Sequence, residues 1–247
     1  LRIGGLYDSR VGSTSDYSVG NQSDAAFVAR LNAGYLTSLK DNLGLRFDYF
    51  GYANFYEDYS EYNLIDQAIS LEPQYTVGNM IYSLPLVYNY VLEDNKTDYY
   101  RYSALPTITY RIPNSNQAIA INGIAAAIVD KDDIPELNED GSSYGGGLAY
   151  LILFDKLGII RLSFDYQHAE YDATVRDYAV FAGDPNSYLF PQDHREDDLL
   201  STNLDLEYDF TPNIGLFSSY TYVHTHSNVS VYDYDRNIVE GGITLRY

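Results

Sequence analysis

The stretch Asn203-Leu204-Asp205-Leu206-Glu207-Tyr208-Asp209-Phe210 decides the fold. Successive side chains of an extended chain point to opposite faces. Leu204, Leu206, Tyr208 and Phe210 therefore share one side, and Asp205, Glu207 and Asp209 share the other. One face meets an apolar medium and the other a polar one.

The same alternation recurs along the chain. Ile160, Leu162, Phe164 and Tyr166 oppose Arg161, Ser163 and Asp165. Leu43, Leu45, Phe47 and Tyr49 oppose Gly44, Arg46 and Asp48, and Tyr82, Leu84, Leu86, Tyr88 and Tyr90 form one more stripe. Read in this way the sequence predicts twelve strands, near 1–10, 24–39, 43–57, 62–76, 79–93, 98–112, 117–130, 142–155, 157–172, 197–210, 213–227 and 236–247. No segment of helical period competes with them.

The connections sort by parity. Lys40–Asn42, Val77–Gly78, Pro113–Asn116, Asp155–Lys156 and Thr211–Pro212 are tight, and most are rich in Asp, Asn, Gly or Pro. The alternate set, at 11–23, 58–61, 94–97, 131–141, 173–196 and 228–235, is generally longer and more polar. A soluble sandwich has no reason to sort its loops in this way. A barrel of the outer membrane has one, with short periplasmic turns and longer loops outside. An even strand number then puts both termini on the periplasmic side.

Composition agrees. The 247 residues include 28 Tyr and 10 Phe, which suit strands and a membrane–water boundary. The longest apolar runs, such as Ile124–Val129 and Leu148–Phe154, fall well short of the roughly 20 residues of a membrane-spanning helix. A formal charge of −20 argues against nucleic acid as a partner. The absence of cysteine removes any disulfide framework or thiolate site. The chain begins at Leu1 without a basic or apolar leader and reads as a mature or trimmed chain. The whole of 1–247 is expected to be a single all-β, transmembrane, antiparallel up-and-down barrel.

The closing octapeptide Glu240-Gly241-Gly242-Ile243-Thr244-Leu245-Arg246-Tyr247 ends on an aromatic residue. It resembles the β-signal by which the barrel-assembly machinery recognises outer-membrane barrels. The resemblance makes Gly242, Leu245 and Tyr247 the assembly signal and places the chain in the outer membrane of a Gram-negative-type bacterium. Gly4-Gly5-Leu6-Tyr7-Asp8-Ser9-Arg10-Val11 and Tyr59-Ser60-Glu61-Tyr62-Asn63-Leu64 are similar to segments of barrels that follow a periplasmic tetratricopeptide region, such as surface lipoprotein assembly modifiers. No helical repeat of that kind occurs in these residues. On this resemblance a helical part lies upstream, or the barrel stands alone.

The polar face gathers Arg30, Arg46, Asp48, Asp66, Glu72, Arg111, Arg161, Asp165, Asp205, Glu207, Asp209 and Arg246. Such groups line a cation-preferring conduit or pair across a plugged interior. The first reading is a narrow pore. The second is a scaffold that exports or holds a protein partner at the long loops or the periplasmic side.

Other chemistry is sparser. Asp130, Asp132, Asp133, Glu136, Glu139 and Asp140, and Glu196 to Asp198, could hold Ca²⁺ or bridge to lipopolysaccharide through divalent ions, but lack EF-hand spacing. His224 and His226 share one strand face, a spacing that suits a transition metal, with no clear carboxylate on that face to complete the set. No resident metal or cofactor is expected. Ser163 and Asp165 stand on the face opposite His168, so they form no triad, and no enzymatic activity is expected. Loop 173–196 carries Tyr178, Phe181, Tyr188 and Phe190 and reads as a fold over the mouth, a partner contact or a variable surface loop.

Overall fold

A computed structural model describes residues 1–11, 22–93, 96–130, 140–154, 158–174 and 193–246. Alternation does produce strands. β1 is Arg2–Val11, β2 Gln22–Lys40, β3 Leu43–Tyr56 and β4 Leu64–Val77. β5 runs in two pieces, Met80–Ser83 and Leu86–Glu93, and β6 in Lys96–Ala104 and Thr107–Arg111. β7 is Gln117–Asp130, β8 Gly141–Phe154, β9 Gly158–Thr174, β10 His194–Asp209, β11 Ile214–Ser227 and β12 Tyr234–Leu245. Every pairing is antiparallel and, apart from the closing pair of first and last strands, joins sequence neighbours, so the twelve strands form an up-and-down barrel.

β1 closes on β12 in the register Arg2↔Thr244 through Asp8↔Ile238. Leu1 and Leu245 exchange both backbone hydrogen bonds, at 2.9 and 2.7 Å. Closure removes the free sheet edges, which is the condition for a sheet to cross lipid.

The breaks in β5 and β6 have a common cause. Pro85 and Pro106 carry no N–H and cannot complete the ladder. Their carbonyls still accept, from Leu105 N at 2.9 Å and from Gly123 N at 2.8 Å. The turn end is equally local in origin. Gly78 and Asn114 take positive φ, each at 56°, and Thr211 Oγ1 accepts from Ile214 N at 3.0 Å.

The outer face is apolar. Tyr35, Ile69, Tyr144, Leu148, Phe164, Leu204, Leu206, Phe210 and Ile243 are all exposed there, Tyr35 to 68%. In water so many exposed apolar side chains on one continuous surface would be unfavourable; facing lipid they are at home. Rings concentrate in two rows. Tyr75, Tyr82, Tyr110, Phe154, Tyr208 and Phe210 lie toward the turn end, and Tyr7, Phe27, Phe55, Tyr144 and Tyr166 toward the loop end. These are the girdles of a transmembrane barrel.

The strand bounds differ from the sequence reading mainly at the loop end. β9 reaches Thr174 and β10 begins at His194, so the stems of loop 173–196 are strand. Its aromatic residues Tyr178, Phe181, Tyr188 and Phe190 lie outside the described residues, as do Asp132, Asp133, Glu136, Glu139 and Tyr247.

Candidate functional site: the barrel interior

Contacts between strands that are not neighbours fix which face is inside. Arg101 Nη2 on β6 donates to Gln167 Oε1 on β9 at 3.3 Å. Arg2 Nη2 on β1 donates to Glu207 Oε2 on β10 at 2.6 Å. Parity from these anchors turns Arg30, Arg46, Asp48, Asp66, Glu72, Arg111, Arg161, Asp165, Asp205, Glu207, Asp209 and Arg246 toward the interior.

The interior is not evenly filled. On the side of β10–β12 and β1–β3 it is packed in tiers. Nearest the turns, Glu207 receives both Arg2 and Arg246, and Arg246 also pairs with Asp209. Arg2 also lies over the Phe217 ring, 5.3 Å from its centroid. Higher up, Arg30 pairs with Glu240 and stacks 5.1 Å over Tyr52. Near the loops Arg236 pairs with Asp8, to which Tyr56 donates at 2.8 Å. Arg195 pairs with Asp197 and lies over Tyr232 and Tyr171. Leu6, Val11, Ala26, Val28, Tyr56 and Tyr62 form a buried apolar cluster beside these pairs.

The face opposite is lined by small side chains: Ala68, Ser70, Ser103, Ala126, Ser143 and Gly145. Here ion pairs across strands give way to amide contacts. Asn89 Nδ2 donates to Asp66 at 3.0 Å, and Asn122 Nδ2 to Asp165 at 3.3 Å. Two cavities bear on this asymmetry, the first against the small side chains and the second among larger ones contributed by both sides. One, of about 340 Å³, lies against Asp48, Ser70, Val87, Asn89 and Ser103. The other, of about 310 Å³, lies at the loop end among Tyr56, Glu93, Asp130, Arg195 and Asp197. Arg101 borders both.

The mouth is ordered by side-chain oxygens at the base of a loop. Asp24 Oδ2 accepts from Asp58 N at 2.9 Å and Tyr59 N at 3.1 Å, and Asn54 Oδ1 from Leu64 N at 2.9 Å. Together with the short 3₁₀ turn Ser60–Tyr62, these bonds fix the connection from β3 to β4.

Sequence reading did not place Arg2, Asp8, Arg101, Arg195, Asp197, Arg236 or Glu240 among the lumen-lining residues. Asp8 and Glu240 sit among glycines and apolar residues, and their partners come from other strands. Parity from Arg246 would have placed Glu240 inside; nothing local reveals that Asp8 and Arg236 meet. A polar-only interior also needs correcting. Leu6, Val28, Val91 and Phe217 occupy inward positions and are buried, because packing against Tyr and Arg stems leaves an apolar environment within the lumen.

The acidic run Glu196–Asp198 does not act as one cluster. Asp197 points inward beside Arg195, whereas Asp198 points outward to His168 and Tyr166. The first run is described only at its ends, where Asp140 Oδ1 accepts from Asp130 N at 2.8 Å. Ser163 is buried inside and His168 lies on the outer face, so these residues form no triad. Among the described residues no three His, Asp or Glu groups come together as a metal-ligand set around His224 and His226, but carboxylates do stand on their face. Register sets Asp235 opposite His224 and Asp198 opposite His226 on the same face. Strand partners distant in sequence supply what the local stretch lacks.

Residues 159–247 match the family described as "Putative beta-barrel porin 2", about the last third of the chain. No curated protein matches the sequence. Three solved structures share the fold at low identity. An outer-membrane channel from Pseudomonas putida F1 aligns with a TM-score of 0.60 at 13% identity, over 99% of this chain and 95% of that one. The NanC porin aligns with a TM-score of 0.52 at 10% identity, over 100% of both chains. The Salmonella typhi outer membrane phospholipase aligns with a TM-score of 0.51 at 12% identity, over 99% and 90%. These likenesses establish the outer-membrane barrel fold. None of those named is a tetratricopeptide-linked assembly protein.

Proposed function

We propose that the protein is a narrow pore of the outer membrane of a Gram-negative-type bacterium, with its loop end outside and both termini in the periplasm. The observation that carries this reading is the asymmetric lumen. Ion pairs and an apolar cluster fill one side, small side chains leave a cavity on the other, and a second cavity spans the loop end between both sides, with Arg101 bordering both cavities. The path runs from the loop-end cavity past Arg101 and Gln167 into the cavity beside Asp48 and Ser103. Two structural likenesses are to a channel and a porin, which supports the reading.

Selectivity follows from the charges beside that path. Asp48 lines the cavity beside Ser103, Glu93 and Asp130 line the loop-end cavity, and amides hold the inward-facing Asp66 and Asp165. The lumen-facing acidic side chains, with the overall charge of −20, favour cations. Lipid and lipopolysaccharide surround the barrel, and Gly242, Leu245 and Tyr247 serve as its assembly signal. Planar-bilayer recording tests the proposal. Discrete ohmic steps with a cation-selective reversal potential are expected. A folded barrel that stays silent and co-purifies with another protein would favour the scaffold role instead.

A further inference from the structure

All four histidines of the chain, His168, His194, His224 and His226, stand on β9–β11 at the loop end. Two of them are placed for shared chemistry. His224 and His226 share the outer face of β11, with Cα positions about 7 Å apart from the rise of a strand. His224 Nδ1 lies 3.0 Å from Asp235 Oδ1, and His226 Nδ1 lies 2.8 Å from Asp233 Oδ2. An ionised carboxylate only accepts, so each contact places the ring proton on Nδ1 and leaves the lone pair on Nε2. A carboxylate behind the ring is the usual partner of a metal-binding histidine, which it orients and makes more basic.

Height along the barrel keeps both rings out of the hydrocarbon. The preceding outward residues, Tyr220 and Tyr222, donate to Asn237 at 2.7 Å and to Asp235 at 2.5 Å. Across β10, His224 stands level with Tyr166 of the loop-end aromatic row, through Leu200, and His226 lies one step beyond it. His226 is the more exposed, its side chain open to 69%.

We infer that His224 and His226 bind one divalent transition-metal ion, of the Zn²⁺ or Cu²⁺ class, through their two Nε2 atoms on the outer rim of the barrel. Imidazole pairs suit these ions over Ca²⁺ or Mg²⁺. Among the described residues no three His, Asp or Glu groups stand close enough to enclose an ion. The ion therefore takes two ligands from the protein, with water in its other positions. Asp235 and Asp233 act as positioning residues behind the rings.

The test uses the untagged, detergent-folded barrel and Cu²⁺ or Zn²⁺ alone. One equivalent of Cu²⁺ should give an electron paramagnetic resonance spectrum with superhyperfine splitting from two equivalent nitrogens. His224→Ala and His226→Ala should each weaken Zn²⁺ binding at least tenfold and remove one nitrogen from the Cu²⁺ spectrum. Asp235→Asn should weaken binding by about 10- to 100-fold while keeping both nitrogens. His168→Ala and His194→Ala should change neither readout. Heat-modifiable migration of each variant verifies folding separately. Unchanged affinity in His226→Ala, or loss of the signal only in His168→Ala, would overturn the assignment, as would a folded wild type that binds neither ion.

Discussion

Asp8 on β1 and Arg236 on β12 form an ion pair inside the barrel, across the seam where the last strand closes on the first. The Asp8 carboxylate is fully shielded from solvent, and Tyr56 from β3 donates to it at 2.8 Å. Three strands that are brought together only when the ring closes therefore meet at one carboxylate. Breaking such a pair strands a buried charge, which costs about 3–5 kcal/mol. Asp8→Ala should lower the unfolding free energy from urea titration by that much, whereas Tyr56→Phe, which keeps the pair but loses a hydrogen bond to a charged group, should cost about 1.5–3 kcal/mol. Equal midpoints for wild type and Asp8→Ala would show that the seam does not depend on the pair.

The same seam makes a finer prediction. Gly4 and Gly242 face each other in register. A Cβ on Gly4 would run into the Gly241 carbonyl oxygen, and one on Gly242 into the Ile3 carbonyl oxygen. Their neighbours have room, since a Cβ on Gly5 or Gly241 meets nothing nearer than 3.9 or 3.6 Å. Gly4→Ala and Gly242→Ala should reduce the yield of heat-modifiable, folded barrel. Gly5→Ala and Gly241→Ala should fold as the wild type does. A folding loss that ignores this division would refute the register.

Facing can be tested with a single charge. Leu204 points to lipid in the middle of β10, so Leu204→Arg should destabilise the barrel in bilayers by about 2–4 kcal/mol. The adjacent Asp205 faces the lumen, and Asp205→Asn should cost much less. Equilibrium unfolding from lipid vesicles measures both, and comparable costs would contradict the assigned faces.

Much of the architecture was legible because a membrane barrel writes its two environments into alternate residues. Leu204 and Asp205 declare opposite faces without any help from their neighbours, and the turn-forming Asp41-Asn42 and Gly78 mark the tight end. The strand breaks at Pro85 and Pro106 were not anticipated, since the apolar stripe continues through Leu84 and Leu86. The division of the lumen was hidden for a different reason. Parity puts Arg30 and Glu240 inside but cannot show that they meet across β1, nor that Leu6 and Val28 fill the space beside them. Asp235 was likewise invisible as a partner of His224, because the contact depends on the register of β11 with β12.

The pore itself is most directly tested by filling the cavity beside Ser103, a lumen-facing residue bordering the open side. Ser103→Trp and the lipid-facing Ile121→Trp should both fold and give the same heat-modifiable band. In planar bilayers the wild type and Ile121→Trp should show the same unit conductance, and Ser103→Trp should lower it several-fold. Equal conductance in all three would place the path elsewhere, and a wild type that folds without conducting would contradict the account.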